Sequence, residues 1–303
     1  MVKKHFVPTA DGPDGKLLNK NSKYDILSYN RIHLILRMYA KDKVGFMTAS
    51  HYKINTLMTV TVSVFLLLAF ALNGEAQTAS ARMVELCTEF NELNTRIRDG
   101  KITKPHAKAQ FRSLIEQIRN EYYAASGQDY MTGAWVFTLK GYDYKAIGGV
   151  NGNGYKEAGY DYFDGNRHRG HPSQDFFIND KKQQGIDDRN KKPVSVLSIT
   201  GGVVVALEKD WDRSSKLRGG KYIWIYDPTS HALIYYAHNS VVHVEVGDFI
   251  KPGDTIAFVG RTGLNAYKRR SPTHLHVTYL TISEGLPIPG DIYKELTKSR
   301  IMD

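Results

Sequence analysis

Apolar positions between Thr78 and Ala125 recur at steps of three and four residues, the spacing of one face of an α-helix. A first stripe runs up to Gly100, a residue type that commonly stops helices, and a second begins after Thr103, a plausible N-cap. The pattern predicts an α-helical hairpin over residues 77–128 whose stripes are packing surfaces. The stripes consist of Met83, Leu86, Phe90, Leu93 and Ile97, then Phe111, Leu114, Ile115, Ile118 and Tyr122.

Residues 129–303 carry a different pattern, in which short apolar runs alternate with turn signals. The runs are VSVLSI, GVVVALEK, KYIWIYD, ALIYYAH, TIAFVG and HLHVTYL, and the turns include GG, DPTS and KPGD. Because no helical pattern separates the runs, a parallel α/β fold is not expected. We predict a mainly β domain, a small antiparallel sheet with a barrel or sandwich character, preceded by the hairpin. The Gly- and Tyr-rich stretch ahead of it predicts a loop-rich lead-in with short strands.

An uncharged apolar segment, Leu57–Leu72, comes before both regions. Lys53 precedes it, and Gly74 and Ala76 occupy positions −3 and −1 of a cut before Gln77. A basic flank, an apolar core and small residues at the cut are typical of a secretory signal peptide. The protein is therefore expected in the cell envelope, in the periplasm or outside the cell.

A signal anchor is the alternative for residues 54–76, because a membrane span needs roughly 20 apolar residues and extension to Ile54 approaches that length. A buried soluble helix is a weaker alternative. Residues 1–53 then form an N-terminal extension, within which Met47 is a second candidate start. Nothing in this extension indicates catalysis.

The amino-acid composition limits which partners and which metal ligands the chain can have. The formal net charge of +10 suits a polyanionic partner, but no zinc finger, RNA-recognition signature or P-loop is present, so nucleic acid is not expected. Cys87 is the only cysteine, which excludes an intrachain disulfide and a cysteine-based zinc site. Any metal site must use His, Asp or Glu. The sequence leaves the oligomeric state open.

Two short motifs carry candidate metal ligands. In HPSQD, His171 and Asp175 form an H-x-x-x-D motif, and THLH contains His274 and His276. Residues i and i+2 of a strand point to the same face, so both imidazoles of THLH should project together. Two imidazoles and a carboxylate can hold Zn²⁺ with a fourth position open for water. A further candidate, His238, ends the run YYAH.

The order of these motifs resembles that of the lysostaphin/LytM-type zinc metallopeptidases, which cut peptide bonds in peptidoglycan. The resemblance rests on HPSQD, YYAHNSVVHVEVGDFIKPGDTIAFVGRTG and THLH in this order. It implies one Zn²⁺ per chain, held by His171, Asp175 and His276. It also implies catalytic roles for His238 and His274 near the water that zinc activates.

Two features of the sequence depart from the family pattern. Ser173 stands where the family usually has glycine, and the stretch from Gly263 to Pro272 is longer and more basic than usual. The first concerns local backbone geometry and the second substrate preference, and neither removes a ligand.

Other residues near the motifs have competing interpretations. His168 lies three residues before His171, but only His171 gives the H-x-x-x-D spacing. His243 is interpreted as structural. Tyr160 and Tyr162 are close enough in sequence to reach the site and stabilise an oxyanion, although a packing role is favoured for both.

Two functions follow from different classes. The first is an exported zinc endopeptidase that hydrolyses peptide bonds in peptidoglycan stems or cross-links through a metal-activated water. The second is a catalytically silent module of the same fold that binds cell wall or regulates another hydrolase. A silent module would be expected to have lost ligands, and none of the five positions has.

We predict that the mature protein begins at Gln77, or retains residues 54–76 as an anchor, because the apolar segment and the Gly74–Ala76 pattern direct export. N-terminal sequencing of protein from the native cell checks this. A soluble cytoplasmic protein that still carries Met1 would contradict it.

Overall fold

The computed structural model describes residues 81–303, so the predicted leader (residues 1–76) lies outside the described residues. Helix α1 covers residues 81–98 and α2 covers Lys104–Ala124; a short helix, α3, follows the strands at Tyr293–Leu296. Within this range no helix has the length and apolarity needed to cross a membrane. The strands are β1 Ser173–Phe177, β2 Ser195–Leu197, β3 Gly202–Glu208, β4 Lys221–Asp227, β5 Ala232–Val242, β6 Phe249–Ile250, β7 Thr255–Val259, β8 His274–Ser283 and β9 Leu286–Pro289.

These strands form one antiparallel sheet. Its main order is β1-β8-β5-β4-β3-β6, with β9 paired to β8 and with β7 joining β2 to β5. The six apolar runs of the sequence correspond to β2, β3, β4, β5, β7 and β8. A mainly antiparallel β fold preceded by helices is therefore confirmed.

The central strands are apolar almost throughout because both faces of the sheet are covered. Successive side chains of a strand point to opposite faces. Along β4, Tyr222, Trp224 and Tyr226 join the core formed with the helical hairpin. The alternate residues Ile223 and Ile225 join a second core with side chains of β2, β7 and β8. One sheet thus separates two hydrophobic cores.

The hairpin packs against the first of these faces. All ten stripe residues predicted from the sequence are buried. The ring of Phe111 lies 5.5 Å from the rings of both Phe90 and Tyr162, so it ties α2 to α1 and to the segment ahead of β1. Gly100 joins the helices with φ +66°, a conformation that glycine adopts at little cost.

The lead-in between α2 and β1 differs from the prediction of short strands, which was wrong. This segment forms three 3₁₀ turns and single bridges, such as the one between Lys156 and His171. Gly149, Gly152 and Gly159 adopt positive φ here, which interrupts extended backbone. The lead-in is therefore a folded loop that passes next to β1.

Replacing Phe111 with alanine should lower the free energy of unfolding by about 3–5 kcal/mol, because a fully buried ring leaves a cavity between the hairpin and its neighbours. Urea unfolding followed by circular dichroism measures the change. The exposed ring of Tyr144 provides a matched control, and Tyr144→Ala should cost less than about 1 kcal/mol. Equal losses for the two variants would contradict a core that includes the hairpin.

Candidate metal centre

The register of β1 and β8 brings one carboxylate and two imidazoles to one face of the sheet. Asp175 lies opposite His276, and Phe177 lies opposite His274. Opposed residues of an antiparallel pair share a face, as do residues i and i+2 of one strand. Asp175, His274 and His276 therefore project together, on the face that also carries the hairpin.

His171 reaches this group from the loop immediately before β1. The backbone N–H of Lys156 donates to the carbonyl of His171 at 2.7 Å and holds the loop in place. The ring Nδ1 lies 3.1 Å from the carbonyl oxygen of Gly154. A carbonyl can only accept, so Nδ1 carries the hydrogen and Nε2 presents its lone pair. That Nε2 lies 3.4 Å from Oδ2 of Asp175.

The third donor comes from His276. Its Nδ1 lies 3.0 Å from Oδ1 of Asp175, and its Nε2 lies 3.4 Å from the hydroxyl of Thr278. Ligand atoms from His171, Asp175 and His276 all lie within 4.8 Å of one another. Tetrahedral zinc with bonds of 2.0–2.2 Å separates its ligand atoms by about 3.4 Å, and it accepts two imidazoles and a carboxylate. The donor set fits zinc.

His238 approaches the same group from β5. Strand β5 pairs with β8 as far as Ala237 opposite His276, and beyond this point it pairs with β7. His238 lies at this change of partner with φ +68°, a strained backbone for a residue other than glycine. Its Nδ1 lies 2.8 Å from the carbonyl oxygen of Thr262, so its Nε2 is left for the site.

Close packing fixes the ring of His238. A Cβ at Gly263 would lie 2.9 Å from its Nδ1 and would clash with the carbonyl of Arg218. Gly263 also has φ +112°, so both space and backbone require glycine there. The turn that follows β7 can therefore approach the imidazole closely enough to orient it.

His274 completes a cluster of four imidazoles. Its Nδ1 lies 2.8 Å from the carbonyl oxygen of Pro272, and its Nε2 lies 3.9 Å from Oδ1 of Asp175. The ring centre of His238 lies 4.9 Å from that of His274 and 5.5 Å from that of His276. The two predicted catalytic rings are thus adjacent to each other and to the candidate ligands.

Burial and these contacts shift the pKa values of the clustered side chains. Burial acts to raise the pKa of Asp175, but hydrogen bonds with His171 and His276 hold it below its ordinary value. Once His171 is protonated, its Nε2–H can donate to Asp175, and this hydrogen bond raises the pKa of His171. Burial lowers the pKa of His276 and lowers that of His238 well below its usual range. An ionised carboxylate and neutral imidazoles are the states that bind a metal.

Ser173, the residue that departs from the family pattern, is accommodated without disturbing the ligands. Its buried hydroxyl lies 2.6 Å from the hydroxyl of Thr278, opposite it on β8. Thr278 in turn contacts Nε2 of His276. The serine therefore belongs to a short hydrogen-bonded chain that ends at a candidate ligand, and partners of this kind orient metal-binding histidines.

A half-enclosed cavity of about 200 Å³ adjoins the histidines. The hairpin forms one wall of it through Asn94, Ile97 and Arg98. Asn94 is 5% exposed, donates to the hydroxyl of Tyr222 at 3.1 Å and accepts from that of Tyr162 at 3.0 Å. Sequence reasoning missed this wall, although a polar Asn94 beside the apolar stripe of α1 was a signal for it.

The competing residues lie apart from the ligand set. His168 contacts the ring of Tyr160 at 4.8 Å and the carbonyl of Arg169 through Nδ1, and it is not one of the three clustered ligands. His243 packs its ring against Phe258, at 4.7 Å between centres. The hydroxyl of Tyr162 is engaged with Asn94 in the packing role that was favoured for it, and Tyr160 lines the cavity.

Comparison with known families identifies residues 181–286 as a match to the model of peptidase family M23. The match includes His238, His274 and His276, and it begins after His171 and Asp175. It confirms the family resemblance recognised from the order of the histidine motifs.

Solved structures of such peptidases are also similar. One is lytM from Ruminococcus gnavus ATCC 29149, with 27% identity, covering 64% of this chain and 74% of that chain, and a TM-score of 0.40. Another is the catalytic domain of the antimicrobial peptidase lysostaphin from Staphylococcus simulans, with 25% identity, 44% and 80% coverage and a TM-score of 0.30. A zinc-containing peptidase from Vibrio cholerae has 22% identity, 51% and 38% coverage and a TM-score of 0.32.

Asp175→Asn should lower the pKa of His171 in chelator-treated protein, because it removes the carboxylate whose hydrogen bond raises that pKa. Titration of the imidazole resonances by NMR measures the shift. Asp188→Asn removes a carboxylate that pairs with Lys191 instead, so it should leave the titration of His171 unchanged. An unaltered His171 titration in Asp175→Asn would contradict the contact.

Proposed function

Because residues 181–286 belong to peptidase family M23, we propose that this protein is an exported zinc-dependent endopeptidase acting on peptidoglycan stems or cross-links. One observation carries the proposal. Ligand atoms of His171, Asp175 and His276 lie within 4.8 Å of one another, and two further imidazoles, His238 and His274, stand beside them. A purely structural cluster has no need of two further imidazoles packed against it.

In this proposal a specific ring nitrogen of each ligand histidine binds zinc. His171 would bind zinc through Nε2 and His276 through Nδ1, since these atoms face the carboxylate of Asp175. Bound zinc lowers the pKa of water toward neutrality and polarises a carbonyl group. The other ring nitrogens are held by the carbonyl of Gly154 and the hydroxyl of Thr278, which fixes the orientation of both rings.

His238 and His274 would move the proton. In each ring Nδ1 faces a backbone carbonyl, which places a hydrogen on Nδ1 and leaves Nε2 as the proton acceptor. Nε2 of one ring can take a proton from the attacking water as a general base. The imidazolium so formed can then donate a hydrogen bond to the developing oxyanion, or pass the proton to the leaving amine. A ring in this tautomer cannot donate from Nε2 until it has first accepted that proton.

A catalytically silent module of the same fold is the competing function. It would require no general base, and substitution of a ligand or of either catalytic histidine would favour it. This chain retains the imidazoles and the carboxylate at all five positions. Their grouping at one place on the sheet supports hydrolysis over binding alone.

Peptidoglycan as the substrate and the cell envelope as the location extend the proposal. The net charge of +10 complements an anionic wall polymer, and the apolar segment before Gln77 is the predicted export signal. Either cleavage there or retention of the segment as an anchor would deliver the catalytic face to the wall.

Zinc content and activity should separate the five residues into two groups. His171→Ala, Asp175→Ala and His276→Ala should lose zinc and activity together, because two protein ligands remain. His238→Ala and His274→Ala should keep one zinc per chain and lose activity by about 10²-fold or more, as for loss of a general base or oxyanion donor. Metal analysis and digestion of purified peptidoglycan, with mass spectrometry of the fragments, measure both quantities.

His243→Ala is the matched control, because this imidazole packs on Phe258 away from the cluster, and both its zinc content and its activity should be retained. Chelation should abolish activity and added zinc should restore it. Zinc loss in His274→Ala with zinc retention in His276→Ala would mean that His274 is the ligand and His276 the catalytic residue. Full activity in all five variants would place the reaction elsewhere.

A further inference from the structure

A cationic side chain, Arg218, stands at the cavity beside the metal cluster on a rigidly held segment. The carbonyl of Gly219 accepts from the backbone N–H of His238 at 2.9 Å, and the carbonyl of Leu217 accepts from that of Leu264 at 2.9 Å. A Cβ at Gly220 would clash with the backbone of Thr262. The main chain around Arg218 is therefore tied to the same elements that orient His238.

The guanidinium group is only partly used by the protein. Nη1 of Arg218 donates to the carbonyl of His168 at 2.9 Å and approaches that of Asn166 at 3.5 Å. Within residues 81–303, Nε and Nη2 make no hydrogen bond. One edge of the planar group is thus anchored, while the edge formed by Nε and Nη2 is available to a ligand.

The charge of Arg218 is also uncompensated by the described part of the chain. The other arginine lining this cavity, Arg98, pairs with Asp99 at 2.8 Å and with Glu208 at 3.0 Å. Arg218 has no such ion pair among these residues. The carboxylate of Asp164, two residues before Asn166, already pairs with Lys104 at 2.9 Å. The cavity therefore offers a positive group with an open fork beside the catalytic histidines.

We propose that Arg218 binds a carboxylate of the peptide substrate next to the scissile bond, so that the site selects acidic peptides. This inference rests on the proposed function. Arginine matches a carboxylate through two parallel N–H···O bonds, a geometry that an ammonium group cannot reproduce. The carboxylate comes either from a side chain or from the C-terminus of a peptide, and both have the same chemistry.

A structural role is the alternative reading of these contacts, since Arg218 also supports the turn at His168. Loss of such a structural role would change the binding and the hydrolysis of every substrate equally. Binding a carboxylate would instead alter only substrates that carry one. The two roles are separated by comparing matched ligands on the same variants.

The test uses stem tetrapeptides with a single acidic residue, and hence two carboxyl groups, in four forms. Both carboxyl groups are free, or the side-chain carboxyl is a carboxamide, or the C-terminal carboxyl is a carboxamide, or both are amidated. Calorimetry on chelator-treated protein measures binding without turnover, and hydrolysis by the zinc-loaded protein gives kcat/KM. The protein should prefer one free-carboxylate form by about 10- to 100-fold, as for hydrogen bonds to a charged group. If amidation of one carboxyl group removes the preference, that carboxyl group is the one that Arg218 binds.

Arg218→Gln should abolish this preference in both measurements while leaving the fully amidated peptide unaffected. Arg218→Lys should restore it in part, since it keeps the charge and loses the fork. Arg213→Gln removes the same charge from the same loop outside the cavity and should change nothing.

Persistence of the preference in Arg218→Gln, or an equal loss on all four peptides, would overturn the assignment. Carboxylate-selective binding without any hydrolysis of these peptides would support Arg218 while refuting hydrolysis of the stem.

Discussion

The antiparallel pairing of β1 with β8 is the constraint on which the site depends. It sets Asp175 directly opposite His276, and their side chains meet at 3.0 Å. A carboxylate in this position needs hydrogen-bonding partners, because removal of a charge from water is costly without them. The same register aligns His274, and the pairing of β8 with β5 brings in His238 at the point where β5 changes partner. A slip of β8 by one residue would turn His274 and His276 to the other face, away from Asp175 and His238.

The sequence was sufficient for the parts of the fold that are locally encoded. The hairpin followed from its helical period, and six strands followed from apolar runs because both faces of the sheet are covered. Strands β1 and β9 were not predicted, because SQDFF has only two apolar residues, both at its end, and the two prolines of LPIP argue against a strand. Their pairing is supplied by β8 rather than by their own composition. The candidate ligands were predictable because their motifs stand in a fixed order.

The cavity beside the ligands was not predictable, because its walls are joined by contacts between distant parts of the chain. Asn94 meets Tyr222 across 128 positions, and Arg98 donates to the same hydroxyl. Arg218 lies in a loop whose sequence, KLRGG, has no hydrophobic periodicity and no motif. Its significance comes from the backbone contacts that place it next to His238. Such relations depend on how the hairpin and the sheet pack, which no local pattern reports.

The segment that matches the family model is shorter than the unit that holds the candidate metal centre and its cavity. Residues 181–286 contain β8 but neither β1 nor the two helices. In a fragment that began at residue 181, the first half of β8 would present unpaired backbone groups along an open edge, and open edges invite association with other chains. The hairpin face of the sheet would lose its cover at the same time. Trimming to residues 181–286 would thus produce an association-prone β-sheet rather than a smaller independent domain.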